Sequence, residues 1–256
     1  MTRNYACGRV ALGERNSFNF PLGWVTVDWQ EADFTMQIDD TTTLPLPSGS
    51  QRIVYSAHMF EHVEQSALEQ LLREVHRILA PRGAMRIEVP DAERLIAAYR
   101  NDDRMVLDYF RRDREYVCRE LGLGEEYLDD HLTPLGVIAN HIDRGRGDSR
   151  RLSVPVYAPK AEFDRRLAQG IDALNDWAQS LKTELQRTSG GHANAMTFDR
   201  LASALKKAGF SDVRRAAFGV TTIPGLRLGR GVRRLYDSVP EQQERAFYSL
   251  YVEAFA

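Results

Sequence analysis

Apolar positions in the first ninety residues change period, and the change marks out elements. Three short runs come first: Arg3 to Cys7, Trp24 to Asp28 (WVTVD) and Phe34 to Ile38. Each ends in glycine, a charged residue or a turn former, which predicts three strands. The segment TTTLPLPSGSQ, with two prolines and Ser-Gly-Ser, predicts a loop. It leads into Arg52 to Ser56 (RIVYS), rich in β-branched and aromatic residues, which predicts a fourth strand. From Gln65 the period turns helical: Leu68, Leu71, Leu72, Val75, Ile78 and Leu79 fall three and four apart on one face. Ala80-Pro81-Arg82-Gly83 should end that helix. Met85 to Val89 (MRIEV) predicts a fifth strand closed by Pro90-Asp91, so a strand, a helix and a strand follow in the order of a right-handed parallel crossover.

Residues from about Ala92 to Ala195 break this rhythm with charged, helical stretches and the loop Arg144 to Arg151, and they read as an inserted cap. After Gly190-Gly191, Thr197 and Asp199 open a helix with Leu201, Leu205 and Ala208 on one face, stopped by Gly209. Ser211 to Phe218 reads as a strand. A second arginine-rich loop, Arg227 to Arg234, precedes the last β-like run, Phe247 to Phe255. The expected architecture is α/β: a doubly wound, mostly parallel seven-stranded sheet of Rossmann-like type with an antiparallel last strand and a helical insertion. Residues 1–91 and 196–256 would form the cofactor-binding core, and 92–195 a cap over the acceptor.

Composition narrows the function classes. With 34 Lys and Arg against 36 Asp and Glu, the chain has no overall field to attract nucleic acid or anionic lipid. Hydrophobic residues at 43% can bury a core, which excludes global disorder. Two cysteines, Cys7 and Cys118, cannot build a disulfide framework or a four-thiolate metal site. The first residues show no apolar signal core, and no apolar run is long enough to span a bilayer. A cytoplasmic enzyme with a small-molecule acceptor and no nucleic-acid or membrane partner is expected, and self-association is left open.

In a doubly wound sheet, ligand binds at the carboxyl ends of the strands, with a glycine turn after the first strand and an acid after the second. Gly8 and Asp28, 20 residues apart, take those places. The ordered string WVTVD, DDTTTLPLPSGSQRIVYSAHMFEHV, LLREVHRILAPRGAMRIEVPD resembles class I S-adenosylmethionine-dependent methyltransferases of the type 11 kind. The resemblance implies S-adenosyl-L-methionine as cofactor. Asp28 would hold its ribose, and Asp40, ahead of the Leu-Pro element, would lie beside the adenine with Thr41, Asp39 being the substitute. Ser56, Ala57 and His58 would run along its methionine part. The family's glycine motif is reduced to Ala6-Cys7-Gly8, with Ala6 where a glycine usually stands.

His58-Met-Phe-Glu61-His62 also fits the H-x-x-E-H zinc-hydrolase pattern, with Glu120, Glu125 or Glu126 as a further ligand. That reading needs a helix, whereas His58 directly follows a strand and should sit on a turn, so no metal is assigned. His58 could instead take a proton from the acceptor, with His62 as second candidate. The two arginine-rich loops could pair with a phosphate or carboxylate on an anionic acceptor such as a sugar derivative, or simply be solvated surface. Tyr99, Tyr109, Phe110, Tyr116 and Tyr127 could line an acceptor pocket or form the cap's own core. The expected activity is methyl transfer to oxygen or nitrogen of a small molecule. The alternatives are a fold that has lost its glycines and serves as a binding scaffold, and, after it, the zinc hydrolase.

Overall fold

The computed structural model describes residues 8–12, 24–29, 32–139, 155–184, 187, 191–226, 228 and 246–256. The chain divides into two compact units, Met1–Pro90 with Thr197–Ala256, and Asp91–Met196.

The first unit is built on a sheet. Its strands are β1 (Gly8–Leu12), β2 (Trp24–Asp28), β3 (Phe34–Thr35), β4 (Gln51–Ala57), β5 (Leu79–Pro90), β6 (Asp212–Ala216) and β7 (Ser249–Phe255). They lie in the order β3-β2-β1-β4-β5-β7-β6. Neighbours from β3 to β5 are parallel, while β7 runs antiparallel to both β5 and β6. This is the expected doubly wound sheet with its reversed last strand.

The first strand lies further along than expected. Arg3 to Cys7 falls outside the described residues, and Gly8-Arg-Val-Ala-Leu12 forms the strand. A central strand is covered on both faces and therefore needs consecutive apolar residues. Val10, Ala11 and Leu12, all fully buried, meet that need. The second difference is at the edge, where β3 is two residues long rather than five.

Helix α1 (Gln65–Ile78) buries Leu68, Leu71, Leu72, Val75 and Ile78, the face anticipated from their spacing. The chain does not end this helix with Ala80–Gly83. Leu79 already opens β5, and those four residues form an irregularity in its pairing with β4, where Arg82 takes a left-handed φ of 64°. A Cβ at Gly83 would stand 2.8 Å from the Ala80 carbonyl oxygen, so only glycine fits there.

The second unit is helical among its described residues: α2 (Ala92–Arg100), α3 (Arg104–Leu121), α4 (Leu132–Ala139), α5 (Lys160–Ala168) and α6 (Ile171–Ser180). Its own core gathers Ile96, Leu135, Ile138, Phe163, Leu167 and Leu174. After it the chain returns to the sheet through α7 (Phe198–Ala208), capped by the Thr197 hydroxyl, which accepts from the Arg200 amide, and ended by left-handed Gly209. No helix among the described residues is long and apolar enough to cross a membrane.

Candidate active site

In a parallel sheet, one edge collects every strand's carboxyl end, and backbone groups and turn side chains converge there. Register fixes which residues meet. Leu12 pairs with Val27 on one side and Ser56 on the other, Asp28 pairs with Thr35, and Ala57 pairs with Glu88. Asp28, Ser56, Ala57 and His58 therefore share this edge.

Gly8 does not. It opens β1, pairs with Gln51 at the start of β4 and donates its amide to the Ser50 carbonyl, so it lies at the opposite, amino edge. Its expected place in the glycine turn is corrected, because Gly8 opens β1, which runs to Leu12, instead of following it. Ala6 lies outside the described residues.

The Asp28 carboxylate is largely buried at the end of β2, with Oδ1 accepting from the Trp29 amide at 2.5 Å. The Asp28 carbonyl accepts from the Met36 amide at 2.9 Å, which ties the β3 exit to the same point. In the following loop the two acids divide their work. Asp39 Oδ1 accepts from the Thr41 amide and hydroxyl at 2.9 and 2.8 Å, bonds that hold its carboxyl below the usual aspartate range. Asp39 and Thr41 are thus spent on the turn, and Asp40 projects exposed beside them. The loop is stitched to α1. Gln70 donates to the Thr42 carbonyl, Glu74 accepts the Leu44 amide, and Arg77 donates to the carbonyls of Leu44 and Leu46. Arg77 also pairs with Glu74 at 2.7 Å and lowers that carboxyl.

At the end of β4 the chain turns sharply. Ser56 is fully buried, and its hydroxyl has no hydrogen-bond partner among the described residues. His58 is left-handed, with φ 49°. Its amide donates to the Glu88 carbonyl, and its ring lies between two buried carboxylates. Nδ1 is 3.0 Å from Glu61 Oε1 and Nε2 is 3.3 Å from Glu88 Oε1. The Tyr251 hydroxyl donates to the same Glu88 oxygen at 3.3 Å. Burial opposes a charge on the ring, yet the two carboxylates outweigh it and raise the imidazole to about 9. Burial likewise opposes charge on Glu61, but the bond to His58 and the nearby His62 bring that carboxyl below its ordinary value.

Two expectations about His58 change as a result. The raised value favours, at neutral pH, an imidazolium donating from both nitrogens, a form with no lone pair for an acceptor's proton, which weakens the general-base reading. Nor do His58 and His62 share a helical face, because His58 is left-handed and only the short 3-10 helix Phe60–His62 follows it, so the helical H-x-x-E-H geometry is absent. His62 ends that turn, half-buried. The partners that decide the matter, Glu88 and Tyr251, were missed. One signal for Glu88 was in the sequence: MRIEV carries two charges in an apolar run, and the strand is buried throughout that run.

In the second unit, Tyr99 donates to Asp164 at 2.8 Å and packs edge-on against Phe163 in that unit's core. Tyr109 meets Phe110, and Tyr127 meets Tyr157, in ring contacts. A cleft of about 360 Å³ in this unit is lined by Arg111, Glu125, Glu126, Leu128 and Asp129, three carboxylates to one guanidinium, an unfavourable wall for an anion. The loop Arg144 to Arg151 lies outside the described residues, as does Arg227 to Arg234 apart from Leu228.

Residues 21–87 match the family model of a methyltransferase domain, and that span contains Asp28, Asp40, Ser56 and His58. Residues 21–87 therefore carry the sequence pattern of a methyltransferase domain. No curated protein sequence matches it. Among solved structures it is similar to an S-adenosylmethionine-dependent methyltransferase from Mesorhizobium loti, 15% identical over 97% of this chain and 90% of that one, with a TM-score of 0.40. It is also similar to one from Archaeoglobus fulgidus, 13% identical over 98% and 86%, with a TM-score of 0.41. The strand order and senses, rather than these alignments, define the fold. S-adenosylmethionine is the cofactor of this family, and the carboxyl edge fits it. An acid closes β2, and the orphaned Ser56 hydroxyl at the end of β4 lacks the partner a bound group would supply.

Proposed function

We propose that the methyltransferase moves a methyl group from S-adenosylmethionine to an oxygen or nitrogen of a small biosynthetic molecule in the cytoplasm. The observation that carries this reading is that Asp28 closes β2, in a sheet of this order, at the edge where ligands bind. When bound, the cofactor supplies an activated methyl on a sulfonium. Asp28 would accept hydrogen bonds from the ribose hydroxyls, Asp40 would flank the adenine, and Ser56 to His58 would border the methionine part. Displacement at an activated methyl needs alignment more than proton removal, so the lack of a base at His58 does not stand against the reaction. The helical unit, Asp91–Met196, would receive the acceptor. Its acidic cleft disfavours an anionic acceptor there, such as the arginine-rich loops suggested.

The test is calorimetric titration of purified, metal-analysed protein with S-adenosylmethionine and its demethylated product, followed by a screen of amines and alcohols for methylated products by mass spectrometry. Micromolar binding by metal-free protein supports the reading. Binding of neither ligand would leave a scaffold that keeps the fold without its chemistry.

A further inference from the structure

The imidazolium of His58 sits where three constraints meet. It ends β4, the strand whose last residues border the proposed methionine subsite. It holds a left-handed backbone, a conformation that a non-glycine residue keeps only when its surroundings enforce it. Its two nitrogens also join the short helix after β4, through Glu61, to β5, through Glu88. Both carboxylates are buried, at 1% and 0% exposure, and the second oxygen of each has no hydrogen-bond partner among the described residues. Their compensation therefore depends heavily on the ring between them, since a buried carboxylate without a partner is costly.

We propose that His58 is a positioning residue: clamped between Glu61 and Glu88, it pins the turn after Ser56 and Ala57 and so shapes the cofactor edge, taking no proton from the acceptor. The proposal rests on the cofactor placement argued above. Among the described residues, the groups facing the ring include Glu61 with its neighbour His62, Glu88 from β5, and the Tyr251 hydroxyl from β7, over whose ring Arg86 lies. Glu88 has its own support from Tyr251, so the clamp is anchored in the sheet rather than in the loop.

Two measurements on the full chain test this. In the unliganded wild-type protein, the His58 ring nitrogens, followed by nitrogen-15 NMR, should remain those of an imidazolium from pH 6 to 8. A ring that titrates near 6.5, or sits as a neutral tautomer at pH 7, overturns the clamp whatever the cofactor does. The second measurement compares His58→Asn with the double variant His58→Asn/Glu88→Gln. Asparagine tolerates the left-handed backbone but cannot reach both carboxylates, so the single variant should bind the demethylated cofactor at least about tenfold more weakly and melt earlier. The double variant removes one stranded charge, so its melting point should recover while its affinity stays low. Affinity that recovers together with the melting point would make His58 a mere counter-charge and overturn the proposal alone. A wild-type protein that binds neither cofactor form overturns the underlying reading and this proposal with it.

Discussion

Replacing Glu253 by alanine tests how the last strand is held in the sheet. Glu253 on β7 is 1% exposed and pairs with Arg86 of β5, itself 0% exposed, at 2.8 Å. Its other oxygen accepts from the Thr222 amide and hydroxyl at 2.9 and 2.5 Å. Arg86 also donates to the carbonyls of Val220 and Ala217 at 2.9 and 2.8 Å. One residue thus joins two strands and the 217–222 segment. Alanine would strand a guanidinium in the interior and leave the Thr222 donors unmatched. Breaking a buried pair from one side costs about 3–5 kcal/mol, which for a chain of this size lowers the melting point by roughly 6–20 °C. The two surviving Arg86–carbonyl bonds argue for the lower part of that range. The assay is urea unfolding followed by tryptophan fluorescence, with the same measurement on Arg86→Met and on the double variant. Because the double variant leaves no unpaired charge, it should lose less than the sum of the singles. A loss below about 1 kcal/mol for Glu253→Ala, or strict additivity in the double, would refute the claim that this ion pair holds β7 in place.

Other outcomes follow from the same geometry. Asp28→Ala should weaken binding of the demethylated cofactor by about 1.5–3 kcal/mol, the worth of a hydrogen bond to a charged acceptor, and calorimetry reads it directly. Unchanged affinity would reject Asp28 as the ribose acid. The His58 ring has a folded value of about 9, above its unfolded value near 6.5, so its contribution to stability is complete below about pH 6.5 and is lost as pH rises through 9. Denaturant midpoints measured across pH 6 to 10 should fall on that limb, and a midpoint that stays level there would count against the imidazolium. Glu61, Glu74 and Glu253 have lowered values, so their contribution has the opposite sign and is lost as pH falls through those values in acid. Gly209→Ala should destabilise by more than the usual ~1 kcal/mol for glycine in a left-handed cap, because the new Cβ would meet the His76 ring at 2.9 Å while φ is 111°. Thr197→Ala should cost about 1 kcal/mol through loss of the α7 cap, measurable by the same unfolding.

Much of the sheet could be read from the chain because its elements announce themselves locally. WVTVD, RIVYS and the Leu68–Ile78 face carry the right period and are bounded by turn residues, and α7 has both its cap and its stop. β1 was harder. A buried central strand is only a short apolar run, and Val10-Ala-Leu12 competes with the alternating residues just before it until the pairing with β4 decides. That shift of a few residues moved Gly8 from one edge of the sheet to the other. The two adjacent acids show a second limit. Which of Asp39 and Asp40 is engaged depends on whether Thr41 and Thr42 fold back on the first, and no spacing rule states that.

The histidine shows a deeper limit. Its ordinary pKa near 6.5 makes any histidine beside a ligand edge look like a base, and H-x-x-E-H makes it look like a metal ligand. Both readings assume that the sequence neighbours set its environment. Here Glu61 is such a neighbour, but Glu88 lies 30 residues on and Tyr251, which supports Glu88, lies 163 residues beyond that. These long-range partners raise the ring's pKa and favour its charged form, which donates from both nitrogens and has no lone pair for a proton. Because methyl transfer from a sulfonium draws its acceleration from alignment, a residue that holds the strand end rigid serves the reaction better than a base that titrates near neutrality. The charges inside otherwise apolar strands, Arg86, Glu88 and Glu253, were the sequence's own sign of this. A buried strand tolerates such residues only when other strands bring their partners, so each unexplained charge in an apolar run marks a long-range contact to be looked for.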